Sequence, residues 1–163
     1  MIETIQFEDE LYPKFQTDGN AARFILPFAQ EVCKGIGVDV GCGKPEWALP
    51  KAFCVDPKID PQWNAMNLPD NEFDYIFSSH CLEHLDRWVQ VLDYWYECLK
   101  KEGVLFLYLP HPSQKYWRPY NNRKHLHILE PKHIHDYCVN KGYSKIFVSG
   151  CDLNNSFSVM CEK

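Results

Sequence analysis

Seven residues, Gly37-Val38-Asp39-Val40-Gly41-Cys42-Gly43, constrain this chain more than any other stretch. A short apolar run that ends in glycine-x-glycine reads as a buried strand whose exit loop passes close to a ligand. Glycine suits such a loop because a Cβ would block the approach and because sharp turns require positive φ. A second run, Phe53-Cys54-Val55-Asp56, also ends in an acid. Its distance from Asp39 is close to the roughly 20-residue offset at which a carboxylate reaches the ribose hydroxyls of a bound nucleotide. A third run of the same character is Phe73-Asp74-Tyr75-Ile76-Phe77-Ser78-Ser79-His80. A tight turn with two surface carboxylates would account for the glycine loop alone. Three runs with polar residues at their C-terminal ends instead place a site at the carboxyl edge of a parallel sheet. The third glycine of the dinucleotide fingerprint is missing, since Lys44-Pro45 stands where it would fall, and this argues against NAD or FAD.

The rest of the chain alternates helix and strand, so the class is α/β. Residues 1–17 are mixed and aromatic, with Tyr12-Pro13 interrupting any regular pattern. Ala22, Ile25, Leu26, Ala29 and Cys33 repeat at helical spacing, with Asp18 or Asn20 as cap, Gly35 as stop and Pro27 kinking or dividing the helix. The proline-rich segment 44–51 is too short for a full crossover helix, which predicts an abbreviated first crossover. A minimal strand is expected near residues 65–68. Leu85, Trp88, Leu92, Trp95 and Leu99 form one apolar stripe ended by Gly103, so both tryptophans are assigned to the core. Residues 104–109 read as a strand buried on both faces. A long loop over 110–129 precedes a helix from Glu130-Pro131 to about Lys141, closed by Gly142. Two final strands, 145–149 and 156–161, are expected as an antiparallel pair at one edge.

With 163 residues, 45% hydrophobic and 24% charged, the chain is read as one domain. Its net charge of −5 argues against general binding to nucleic acid. The apolar runs are too short for a membrane span, and the first residues lack a signal-peptide pattern. The eight cysteines contain no C-x-x-C pair and no clustered framework. They read as thiols in a reducing cytoplasm.

Histidines supply the remaining chemistry. His80-Cys81-Leu82-Glu83-His84 spells H-x-x-E-H, a zinc-peptidase pattern that requires a continuous helix and a third ligand. Here it falls at a strand-to-helix junction, and no metal is expected. His111 follows the 104–109 strand at the edge where substrate should lie, and either a substrate contact or a structural hydrogen bond suits it. His125, His127, His133 and His135 either supply imidazoles for a metal or a base or, as is commoner for any one of them, stand as polar side chains of a solvated loop. Lys115, Arg118, Arg123 and Lys124, interleaved with Tyr116, Trp117 and Tyr120, form either a solvated surface or a recruiting loop for an anionic, ring-containing substrate.

Four blocks occur in order: V-D-V-G-C-G, the acid-ended V-D-P, N-A-M-N-L-P-D-N-E-F-D-Y-I-F-S-S-H-C-L-E-H-L, and L-K-K-E-G-V-L-F-L-Y-L-P. From about Asn20 to Lys163 the sequence resembles the class I S-adenosylmethionine (SAM)-dependent methyltransferases, in the small-molecule type related to ubiquinone-pathway enzymes. The resemblance implies a Rossmann-like, mostly parallel sheet with an antiparallel C-terminal strand. It implies SAM as cofactor, S-adenosylhomocysteine as product and a small-molecule acceptor. Gly41, Cys42 and Gly43 would then line the loop under the methionine part, with Asp39 ordering that loop. Asp56 would accept from the ribose hydroxyls. Asn64, Ala65 and Met66 stand where the family contacts adenine, Asn64 replacing the usual aspartate. Ser79 and His80 would lie near the sulfonium methyl, and residues 1–34 would pack over the cofactor edge. His111, His80 or His84 could act as a general base if the acceptor must lose a proton. A SAM-binding protein without catalysis is the alternative of another class, and a zinc hydrolase is a further one.

Overall fold

The computed structural model describes residues 2–70 and 72–163; Met1 and Asn71, the latter inside the L-P-D-N-E-F-D block, lie outside the described residues. The N-terminal segment is more regular than its sequence predicts. Strands β1 (Thr4–Phe7) and β2 (Glu10–Pro13) form an antiparallel hairpin in which Thr4 pairs with Pro13. Proline is tolerated there because it closes an edge strand, where a missing N–H costs little. The short helix α1 (Lys14–Thr17) leads to α2 (Ala22–Val32). Pro27 lies inside α2 without dividing it, and the residue whose carbonyl it leaves without an intrahelical partner, Arg23, is exposed. Neither Asp18 nor Asn20 caps the helix with its side chain; Ala21 occupies that position.

Six strands make the main sheet: β3 (Gly37–Val40), β4 (Phe53–Val55), β5 (Phe73–Ser79), β6 (Leu99–Pro110), β7 (Ser144–Val148) and β8 (Ser156–Glu162). Their order is β4-β3-β5-β6-β8-β7. The pairs β4–β3, β3–β5 and β5–β6 are parallel, whereas β8 runs antiparallel to both β6 and β7. The last strand therefore sits inside the sheet, and β7 takes the edge. The first crossover is a single 3-10 turn, Pro45–Trp47. The chain moves from β3 to β4 on one side and returns to β5 on the other. That reversal opens a crevice at the carboxyl ends of these strands.

Helix α3 (Trp88–Cys98) is shorter than the apolar stripe implied. Leu99 already belongs to β6, and Gly103 lies within that strand rather than stopping the helix. A Cβ on Gly103 would come within 2.9 Å of the Lys100 carbonyl and 3.0 Å of that of Phe73, at the irregularity where β5 and β6 lose register. No strand forms over 65–68; an isolated bridge joins Asn64 and Asn67. Helix α4 (Pro131–Lys141) ends at Gly142, whose φ of 97° is the left-handed conformation of a glycine stop.

Side chains alternate across the sheet as strand geometry requires. On one face, Val38, Ile76, Leu105 and Leu107 pack with Leu92 and Trp95 of α3 and Ile134 and Cys138 of α4. On the other, Tyr75, Phe77 and Phe106 pack with Ala29 and Cys33 on the α2 side and with Leu49 of the crossover. None of the described helices is long and apolar enough to cross a membrane.

One pair of cysteines departs from the free-thiol expectation: Cys42 and Cys54 form a disulfide. Register explains it. Asp39 faces Cys54 across the parallel β3–β4 pair, so the loop just beyond β3 folds back beside that strand and brings the two Cα atoms within 5.8 Å.

Candidate active site

The loops that leave β3, β4 and β5 enclose a crevice of about 350 Å³. Gly41, Asp56, Asn64, Ala65, Met66 and His84 all line it. Gly41 has φ of 82°, and a Cβ there would meet the Cys81 sulfur at 2.5 Å, so the loop closes against β5 only with glycine. Its N–H donates to the Val55 carbonyl at 2.8 Å, tying the loop to β4.

Asp56 is nearly buried and anchors both neighbouring turns. Its Oδ2 accepts from the Gly43 N–H at 3.1 Å and its Oδ1 from the Lys58 N–H at 2.9 Å. Each oxygen keeps a further lone pair for a ligand hydroxyl. Asn64 caps its own turn, accepting the Met66 N–H at Oδ1 over 2.9 Å.

Asp39 lies behind the crevice rather than in it. Its Oδ2 accepts the Leu49 N–H at 2.7 Å, holding the crossover, and burial pushes its carboxyl up to about 7. The sulfur of Cys42 is committed to Cys54. Gly43 does not line the crevice. Ser79 is nearly buried at the end of β5, its Oγ without a hydrogen-bond partner.

Of the three histidines considered as bases, His80 and His84 meet beside Glu83, whereas His111 stands apart from them. His84 alone lines the crevice. His111 faces a narrow cavity of about 20 Å³ beside Gln114, Trp117 and His125, room for about one water. Its Nδ1 accepts the Ser113 N–H at 3.2 Å, which leaves the proton on Nε2 and makes that atom a donor. His80, at φ of 45°, is turned toward Ser156.

A wider groove of about 750 Å³ runs along the 110–129 loop, lined by Trp88, Pro119, Leu126, His127, Ile128, Leu129, His133 and Asp136. Trp88 thus contributes to a surface as well as to the core. Neither lysine nor arginine lines this groove. Lys115 instead pairs with Asp9 at 2.6 Å and Glu8 at 3.4 Å, and Arg118 bonds the Gln114 and Pro112 carbonyls.

Between crevice and loop lies a cluster the sequence reading did not assemble. Glu83 is fully buried, and neither of its carboxylate oxygens has a hydrogen-bond partner. His84 Nε2 stands 3.8 Å from Glu83 Oε1, and His80 Nδ1 and His125 Nε2 each 3.9 Å. Burial raises the Glu83 carboxyl to about 8 and lowers His80 and His125 to about 3. Two main-chain bonds to the Glu83 carbonyl, from the N–H groups of Leu126 (2.8 Å) and His127 (3.2 Å), pin the loop here. The H-x-x-E-H segment is no helix: only Leu82–His84 forms a 3-10 turn. His125 was out of reach of any local pattern.

Comparison with known proteins accords with this architecture. Residues 18–146 match the methyltransferase domain family. No curated protein matches the sequence. The fold is similar to that of a SAM-dependent methyltransferase from Archaeoglobus fulgidus, at 15% identity and a TM-score of 0.66, over 92% of this chain and 99% of that one. It is similar to a SAM-dependent methyltransferase, possible histamine N-methyltransferase, from Thermotoga maritima, at 18% identity and 0.69, over 92% and 97%. It is also similar to 1,6-didemethyltoxoflavin-N1-methyltransferase from Burkholderia thailandensis, solved with 1,6-didemethyltoxoflavin and S-adenosylhomocysteine bound, at 13% identity and 0.64, over 91% and 80%.

Proposed function

The chain belongs to the methyltransferase domain family, and from that premise we propose that it binds SAM in the crevice beyond β3, β4 and β5 and methylates a small molecule. The observation that carries this reading is the gathering of Gly41, Asp56 and the 64–66 turn around one crevice. The donor set suits the cofactor: Asp56 offers acceptor atoms to a pair of ribose hydroxyls, and the 64–66 turn offers an amide and a flat apolar bed to adenine. Bound there, SAM would supply a methyl group already activated by its sulfonium.

The chain's own residues then mainly position and enclose. Asp56 fixes the ribose while holding the Gly43 and Lys58 turns in place. Gly41 lets the cofactor loop close on Cys81. Orientation of an acceptor atom at about 3–3.5 Å from the methyl carbon is the largest contribution such a site makes. The acceptor would enter along the groove of Trp88, Leu126 and Ile128, whose apolar walls favour a molecule with a flat or apolar part. His111, donating at Nε2, would orient a polar atom of the acceptor once the narrow cavity opens. The N-terminal hairpin and α1 would close the same edge of the molecule as part of one catalytic domain.

Calorimetric titration of cofactor-stripped protein with S-adenosylhomocysteine tests this. Micromolar binding is expected, weakened at least tenfold in Asp56→Ala and less in Asp56→Asn, which keeps one acceptor oxygen. Absence of binding by folded wild-type protein would overturn the reading. Acceptors are then screened by release of S-adenosylhomocysteine from SAM.

A further inference from the structure

We propose that Glu83, His84 and His125 form a binding site for a divalent transition-metal ion of the zinc class, with His80 as an additional nitrogen beside it. The ligand atoms of the first three lie within 4.8 Å of one another. Glu83 is the decisive residue. A wholly buried carboxyl group with no hydrogen-bond partner on either oxygen is costly unless something in the site satisfies it.

Proton bookkeeping shows what is missing. His84 Nδ1 lies 2.6 Å from the Lys124 carbonyl oxygen, which only accepts, so that nitrogen carries the proton and Nε2 presents a lone pair. Ser156 Oγ donates its single proton to the Asn154 carbonyl at 3.1 Å. It therefore accepts from His80 Nε2 at 2.8 Å, and His80 Nδ1 also presents a lone pair. Both bare nitrogens point toward Glu83 Oε1 across 3.8–3.9 Å. That separation is too long for a hydrogen bond in any protonation state. The one proton this cluster can hold sits on the Glu83 carboxyl, and at 3.8–3.9 Å it reaches neither nitrogen, whereas a cation taking its place would satisfy all three groups.

The spacing suits one. Ligands about 2.0–2.1 Å from a tetrahedral ion stand about 3.3 Å apart, so each side chain needs to move inward only by tenths of an ångström. Two imidazoles and one carboxylate favour zinc over magnesium or calcium, which take oxygen sets. The carbonyl behind His84 and the hydroxyl behind His80 are the outer partners that orient metal-bound imidazoles. Trp117 stacks on His125 with the rings 9° apart, fixing its plane. Glu83 and His84 end the β5 turn, whereas His125 comes from the long loop. The ion would join the two elements at the point where the Glu83 carbonyl already binds Leu126 and His127.

The test uses the full chain, stripped with a chelator and titrated with Zn²⁺ in competition with a chromogenic chelator. One equivalent is expected, its affinity falling at least 100-fold in His84→Ala and in His125→Ala but unchanged in His133→Ala, a residue of the exposed groove. If the first two variants fail to fold, the imidazole resonances of wild-type protein decide instead. Shifts on adding Zn²⁺ should be confined to His80, His84 and His125. No binding by folded wild-type protein, or shifts confined to other histidines, would overturn the site. Neither readout involves cofactor or acceptor, so the result is independent of methyl transfer.

Discussion

At the scale of single residues, Asp39 and Gly41 show how the β3 loop is built. The Asp39 carboxyl is raised to about 7 by burial, so the folded protein keeps a proton that the unfolded chain releases near pH 4. Its contribution is complete below about pH 4 and is lost as pH rises through 7. Asp39→Asn removes that loss while keeping an acceptor for the Leu49 N–H. Urea denaturation at pH 4.5 and 7.5 should therefore show the variant gaining on wild type by on the order of 3 kcal/mol between the two pH values. Gly41→Ala should cost about 2 kcal/mol or more, since a left-handed residue gains a Cβ that overlaps Cys81. Its S-adenosylhomocysteine affinity should fall with its melting temperature. The glycine loop and Asp56 were legible in the sequence because their chemistry is local: one strand, one turn, one acid. Glu83 was visible only as part of a motif, and its partner His125 lies in a distant loop that no periodicity places.

Among elements, the strands were the most readable, because burial on both faces leaves nearly unbroken apolar runs such as Ile76-Phe77 and residues 104–109. The end of α3 was not. Leu99 satisfies a helical stripe and a buried strand equally well, and only pairing with Phe73 decides between them. The hairpin was missed for a related reason: its strands, four residues each, are short and half exposed, and Pro13 speaks against them. Disulfide pairing likewise depends on the register of β3 on β4 rather than on cysteine spacing. Closing so short a loop should contribute roughly 2–3 kcal/mol. A Cys42→Ser, Cys54→Ser double variant should lose about that much in urea unfolding, and reductant should have little further effect on it.

For the whole molecule, the joint between the N-terminal hairpin and the 110–129 loop matters most. The buried Tyr12 hydroxyl donates to Glu10 and accepts the N–H groups of Lys115 at 2.9 Å and Tyr116 at 3.2 Å. Phe7 and Tyr116 meet edge to face in the same contact. Tyr12→Phe takes the acceptor from the Tyr116 amide and leaves the Lys115 amide only Glu10 Oε2 at 3.4 Å, and should cost about 1–3 kcal/mol. Hydrogen exchange should quicken at Lys115 and Tyr116 while the amides of β5 and β6 stay protected. An unchanged exchange pattern would show that the hairpin does not hold the loop.

The position of β8 has a consequence for the order of assembly. It fills the gap between β6 and β7, so β7 is synthesised first yet has no partner in the sheet until its successor arrives. Until then the edge of β6 is an open row of N–H and C=O groups, apolar on both faces and suited to pairing with another chain. The most exposed moment in the life of this fold is thus the interval before one seven-residue strand slides into place.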